Sequence, residues 1–281
     1  MAVGVSGSLI LGVTSCKDDE VVLPAIGGFN TAADVAATNL VAHWGFEGDG
    51  KETKSGAVPA SSTNATYETG AKGKGVKFTK GFLAYNAITA LNSLPNMSVT
   101  AWVNVDNNSG APGVPTSFFT MSRPNEWAGN INLMSETGWR KAGRDTLIVK
   151  GLIVSNKAGS PNFQDVRNEP SNGGVQVVNG INKWTHIVMS YDATSEKFKV
   201  YANGVKVSNP DWETRATTGP LTFYSPTKPV IGAWGTNVAG GGTAEGWQVP
   251  MTGSMDEVRV FNKALTDAEI NSLYLLEKAG R

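Results

Sequence analysis

Cysteine is nearly absent from this 281-residue chain. The one thiol, Cys16, can close no disulfide within the chain and builds no cysteine-based zinc cluster. Histidine is almost as scarce: any Ser/His/Asp or histidine–metal arrangement must use His43 or His186. Charge is sparse and balanced. Lys+Arg 24 offsets Asp+Glu 24, only 17% of residues are charged, and no basic run of five or more occurs, so nothing draws the chain to nucleic acid. No apolar run reaches the roughly 20 residues that span a bilayer as a helix. Gly 33, Pro 13 and Trp 8 are plentiful by contrast. Such a composition suits many short strands joined by turns, and the length suits one large β domain plus a tail.

The N-terminal stretch has its own character. Residues Val3 to Val13 form a short run of apolar and small residues, of the kind that ends a secretory signal. Val13-Thr14-Ser15-Cys16 resembles a lipobox, in which the cysteine is lipidated and becomes the mature N-terminus. Lys17-Asp18-Asp19-Glu20, following at once, resembles the surface-export signal of Bacteroidetes-type lipoproteins. The pattern departs in one respect, since no Lys or Arg precedes the apolar run. These resemblances imply a signal and export segment over 1–20 and lipidation at Cys16. Secretion and attachment at the outer membrane, at the cell surface, follow from them. Residues 21–38 show no sustained period and read as a flexible tether, with a single domain over 39–281.

From Asn39 the pattern changes to short alternating runs bounded by Gly, Asn, Asp and Pro. LVAHWGFEGDG at 40–50 is the first. GKGVKFTKGFLAYNAI reads as two short strands around Lys80-Gly81. MSVTAWVNVD at 97–106 places Val99, Ala101, Val103 and Val105 on one face and Thr100, Trp102 and Asn104 on the other. DTLIVKGLIVSN, GGVQVVNG and KPVIGAW are further candidates. KWTHIVMSYDATSEKFKVYANGVKV at 183–207 gives two strands and a hairpin signal at Asn203-Gly204. GSMDEVRVFNKAL is the last strand. TDAEINSLYLLEKAG is the convincing helix: Thr266 and Glu269 make a capping box, and Ile270, Leu273 and Leu276 share a face.

WTHIVMSYD with VYANGV, then GSMDEVRVFNKALTDAEI, resembles the signature segments of laminin-G-like domains of the concanavalin A-like lectin/glucanase superfamily; HWGFEGDG and GKGVKFTKG are similar to its opening strands. The resemblance spans roughly 40–277. It implies an all-β, two-sheet antiparallel jelly-roll sandwich with one short C-terminal helix, in agreement with the strands read above. It also implies a structural calcium ion held by Glu47, Asp49 or Asp256, whose alternative is that Asp256 or Glu257 pairs with Arg259 or caps a turn. Glucanases of this superfamily carry alternating acidic residues on one strand, but no E-x-D-x-x-E segment occurs, and adjacent Asp256 and Glu257 would face opposite sides of a regular strand. His186 lies in a structural strand and reads as a residue that packs or makes a backbone hydrogen bond, not as a catalytic one.

Tryptophans carry the binding expectation. Trp44, Trp102 and Trp184 fall in strands and read as core, whereas Trp127, Trp139, Trp212, Trp234 and Trp247 lie in or beside Gly/Asn/Pro-rich loops. Residues 106–145 read as one long insertion, in which Arg123, Asn125, Glu126, Trp127, Asn130, Glu136, Trp139 and Arg140 mix indole platforms with hydrogen-bonding groups suited to sugar hydroxyls. With Trp234 and Trp247 they form the expected glycan site; the alternative is that these tryptophans pack beneath the loops to hold them. The expected function is non-catalytic binding of a polysaccharide or host glycan, with neighbouring surface glycan-uptake proteins as partners. A protein-interaction or envelope module, and a glycoside hydrolase or lyase with an unfamiliar site, are the rivals.

Overall fold

A computed structural model describes residues 1, 23–105, 114–136, 146–169, 173–178, 180–225 and 227–281. Cys16, Trp139 and Arg140 lie outside the described residues. Among those described are thirteen strands: β1 Leu40–Trp44, β2 Ser61–Thr69, β3 Lys74–Ala84, β4 Met97–Val105, β5 Thr116–Arg123, β6 Glu126–Ser135, β7 Val149–Lys157, β8 Ser160–Arg167, β9 Thr185–Asp192, β10 Lys197–Ala202, β11 Val205–Lys206, β12 Lys228–Ile231 and β13 Met251–Phe261. One α-helix follows, α1 Asp267–Lys278.

The strands run antiparallel in the order β11-β10-β9-β4-β13-β3-β12-β5-β6-β7-β8, with β1 also on β13 and β2 on β3. Long β3 turns the corner, pairing with β13 through Val76–Gly81 and with β12 through Leu83–Ala84. The sheet thereby curls into two leaves that face each other across one apolar core, the sandwich implied by the family resemblance. Gly151 of β7 lies directly beneath the Phe198 ring of β10, where a Cβ would stand 2.8 Å from Cζ. As the alternation predicts, Val99, Ala101, Val103 and Val105 enter the core. Trp44 is buried against Tyr85, ring centroids 5.6 Å apart, while Trp184 is half-buried just before β9.

Helix α1 covers the outer face of β4, β9 and β13. Glu269 N donates to Thr266 Oγ1 at 3.2 Å and Thr266 N to Glu269 Oε2 at 2.8 Å, completing the capping box. Ile270, Leu273 and Leu276 are fully buried. Residues 24–38, expected as a flexible tether, instead pack here. Ala32 and Val35 join the helix cluster, and Arg281 donates to the Pro24 and Asn30 carbonyls at 2.9 and 3.0 Å. A short segment of small apolar residues has no period of its own, yet α1 gives it a surface to cover.

KGVKFTKGFLA is one strand, kinked where Lys80 takes φ 52° opposite Asn64 at φ 45°, a paired irregularity in the β2–β3 ladder. Among its described residues, GGVQVVNG forms no strand: Val177 makes an isolated bridge to Leu147, and Val175 N donates to the Val207 carbonyl at 2.9 Å. The supposed insertion 106–145 contains the β5–β6 hairpin, whose two-residue turn Pro124-Asn125 places Asn125 at φ 56°.

Candidate functional site

That hairpin turn positions the first half of the site. Arg123 pairs with Glu126 across the ladder, and Arg123 Nη2 lies 3.3 Å from Glu126 Oε2. Arg123 is only 9% exposed, its Cζ stands 4.2 Å above the Tyr224 ring centroid, and its Nε is buried without a hydrogen-bond partner. Exposed Asn125 abuts the segment 234–247: a Cβ on Gly242 would lie 3.1 Å from Asn125 Cα.

Three tryptophans fix that segment. Trp127, Trp234 and Trp247 pack mutually edge to face, with centroids 5.7, 5.2 and 5.1 Å apart. Trp234 is 0% exposed and so braces the loop, leaving half-buried Trp127 and Trp247 to present ring surface to solvent. Polar ties complete the brace: Thr236 Oγ1 donates to Gln248 Oε1 at 2.7 Å and Asn237 Nδ2 to the Gln248 carbonyl at 2.7 Å. Between this loop and the ends of β2, β3, β5 and β12 lies a pocket of about 280 Å³. Ala84, Val230 and Val238 supply its apolar surface, and Ser61, Asn86, Ser122, Arg123 and Lys228 its polar one. The structure therefore gathers Arg123, Asn125, Glu126, Trp127, Trp234 and Trp247 into one region. Asn130 sits deeper, donating to the Tyr224 carbonyl at 2.9 Å, and Glu136 lies just past the end of β6, pairing with Lys150 at 2.8 Å and Arg167 at 3.2 Å. Trp212 stands apart, 59% exposed.

A second polar cluster lies between α1 and the sheet. Arg259 bridges Glu257 and Glu277, its Nε 2.8 Å from Glu277 Oε1. Trp102 Nε1 donates to Glu277 Oε2 at 2.8 Å, and Glu257 also meets His43 Nε2 at 2.9 Å and Lys72 Nζ at 3.2 Å. Burial works to raise the Glu257 carboxyl, but the hydrogen bond from His43 and the Arg259 and Lys72 charges outweigh it and hold the group ionised. His186, packed on Trp102 with centroids 5.3 Å apart, is lowered to about 3 by burial and by Arg259, so it is a neutral packing residue. Glu257 at φ 46° interrupts the β13–β4 register, so Asp256 and Glu257 do not alternate as in a regular strand.

A sequence profile described as laminin-G-type, concanavalin A-like lectin/glucanases superfamily, matches residues 79–271. The chain belongs to the concanavalin A-like lectin/glucanase superfamily. No curated protein sequence matches it. Solved structures agree in fold with this superfamily member. Domain 4 of AbnA, a GH43 extracellular arabinanase from Geobacillus stearothermophilus in complex with arabinotriose, is 20% identical with TM-score 0.55, covering 84% of this chain and 98% of that one. The binding domain of Paraclostridial Mosquitocidal Protein 1 (13% identical, TM-score 0.59, 84% of this chain) and that of Botulinum Neurotoxin DC in complex with SialylT (12%, 0.55, 86%) are similar too. This chain spans 52% and 51% of those two toxin chains.

The calcium ion implied by superfamily resemblance finds a poor fit. Asp49 Oδ1 accepts from Lys51 N at 2.9 Å, Glu47 Oε2 from Lys74 N at 3.1 Å, and Asp256 Oδ2 from Lys72 N at 2.9 Å. Each carboxylate is turned to a backbone N–H. Among the described residues no three His, Cys, Asp or Glu side chains converge on a common centre, so as arranged the trio does not make the shell of about six to eight oxygens that calcium takes. Burial raises the Asp256 carboxyl to about 8, against the pull of the Lys72 N–H.

Proposed function

We propose that this protein is a non-catalytic carbohydrate-binding protein that takes a sugar residue into the pocket beside Arg123, with Trp127 and Trp247 offering ring faces to adjoining sugars. The pocket carries the reading: an apolar surface for C–H groups, ringed by hydroxyl, amide and cationic side chains and walled by a loop that three tryptophans hold rigid. Two similar folds, the arabinanase domain and the neurotoxin binding domain, were solved with arabinotriose and with SialylT, which supports a sugar as the ligand class. No carboxylate lines the pocket among the described residues, so the acid pair of a glycosidase is not gathered there. On this reading a lipid on Cys16 holds the protein at the outer membrane, facing outward beside glycan-uptake proteins. A polysaccharide panel, run with calcium and with chelator while released reducing sugar is assayed, tests it. Binding without product, unaffected by chelation, is the expected outcome; steady release of reducing sugar would favour a hydrolase, and no binding would end the carbohydrate reading.

Exposed Trp212, beside Asp165, Arg167 and Arg215 at the β8 edge, favours a protein-interaction surface as the second reading.

A further inference from the structure

Resting on the carbohydrate reading, we infer that the pocket selects an anionic sugar, receiving its carboxylate or sulfate group between Arg123 and Lys228. Among the described residues, the charged groups lining the pocket are those two, both cationic. Glu126, the nearest carboxylate partner, meets Arg123 through Nη2 and leaves the buried Nε without an acceptor. Lys228 is exposed and has no ion-pair partner among the described residues, and its backbone is fixed opposite Ser122, whose Oγ donates to the Lys228 carbonyl at 2.9 Å. A planar guanidinium and an ammonium on two paired strands are suited to a carboxylate or sulfate. A neutral sugar would leave Lys228 without a counter-charge and Arg123 with Glu126 alone.

Selectivity must arise locally. The chain carries no net charge, so no long-range field favours anions. The pocket volume of about 280 Å³ lies at the small end of the range for ligand sites, which fits one charged ring or chain end with the rest of the glycan outside.

The experiment titrates the purified full chain with an oligogalacturonide and its carboxyl-reduced counterpart, and with dextran sulfate and unmodified dextran, at low and high salt. At least one acidic probe binds about tenfold or more tightly than its neutral counterpart, and the margin shrinks as salt rises. The oligogalacturonide and dextran sulfate arms tell carboxylate from sulfate recognition. Lys228→Gln, at an exposed position, weakens the acidic probe about three- to tenfold without moving the thermal midpoint, and Arg123→Lys weakens it further. Equal or tighter binding of the neutral counterparts, or an unchanged affinity in Lys228→Gln, overturns the anionic selection while the carbohydrate reading stands. If neither these probes nor a broad neutral polysaccharide panel binds, the carbohydrate reading falls and this inference with it.

Discussion

Replacing Arg259 by methionine isolates what anchors the C-terminal helix. Arg259 is 2% exposed and joins Glu257 of β13 to Glu277 of α1, itself 0% exposed. In Arg259→Met, Glu257 keeps His43 and Lys72, but Glu277 keeps the Trp102 indole and, 3.7 Å away, only the neutral His186 ring. Breaking a buried pair from one side leaves an uncompensated charge and costs about 3–5 kcal/mol. At roughly 2–4 °C per kcal/mol for a domain of this size, the midpoint falls by about 10 °C. The double variant Arg259→Met/Glu277→Leu removes the stranded charge and recovers most of the loss. The pH dependence has a definite sign. Burial already works to raise the Glu277 carboxyl against the pull of Arg259. Without the guanidinium it rises further, so the native state takes up a proton and the penalty is largest near pH 8 and shrinks toward pH 5. Urea denaturation of both variants and the parent at pH 8 and pH 5 measures this. A loss below about 1 kcal/mol in Arg259→Met, or a double variant no more stable than the single, would refute the anchor.

Trp234→Ala removes the fully buried member of the aromatic trio and should cost about 3–5 kcal/mol in chemical denaturation, with weaker glycan binding as the loop 234–247 loosens. Trp127→Ala, half-buried, should lose less stability but still lower glycan affinity in fluorescence titration. His186 is neutral in the folded chain and gains its proton on unfolding. Its contribution is complete above pH 6.5 and is lost as pH falls toward 3; at pH 5 the parent should have lost about 2 kcal/mol more than His186→Gln, relative to pH 7, by urea titration. Gly235→Val should disturb the pocket wall and reduce binding, because even a Cβ there stands 2.7 Å from Ser122 Cβ.

The strands with one clear apolar face, such as β4, were legible, as were the capping box and apolar stripe of α1. The β5–β6 hairpin was hidden because a register irregularity between Ser117 and Phe119 puts consecutive Phe118 and Phe119 both into the core, and the polar residues of β5 are buried too. Ser117 Oγ lies 2.8 Å from Thr120 Oγ1 and 3.0 Å from Asn132 Oδ1, so inward and outward residues do not differ in the simple way that alternation requires. Pro124-Asn125 between SFFTMS and WAGNINLM was the available turn signal. Polar β2 and β8, on the sheet margins, carried no apolar pattern. At the site, the residue types around 123–127 and the two later tryptophans pointed to one region. Which indole braces and which faces outward depends on packing between segments over 100 residues apart, as does the pairing of Lys228 opposite Ser122 that completes the pocket.

The most direct test of carbohydrate binding in this pocket is affinity electrophoresis through polysaccharide gels of the parent beside Ala239→Trp, which fills the pocket from an exposed wall position. The parent is expected to be retarded by at least one polysaccharide, and Ala239→Trp to lose that retardation at an unchanged thermal midpoint. Equal retardation of both proteins, or none for the parent on any polysaccharide, would contradict carbohydrate binding in this pocket.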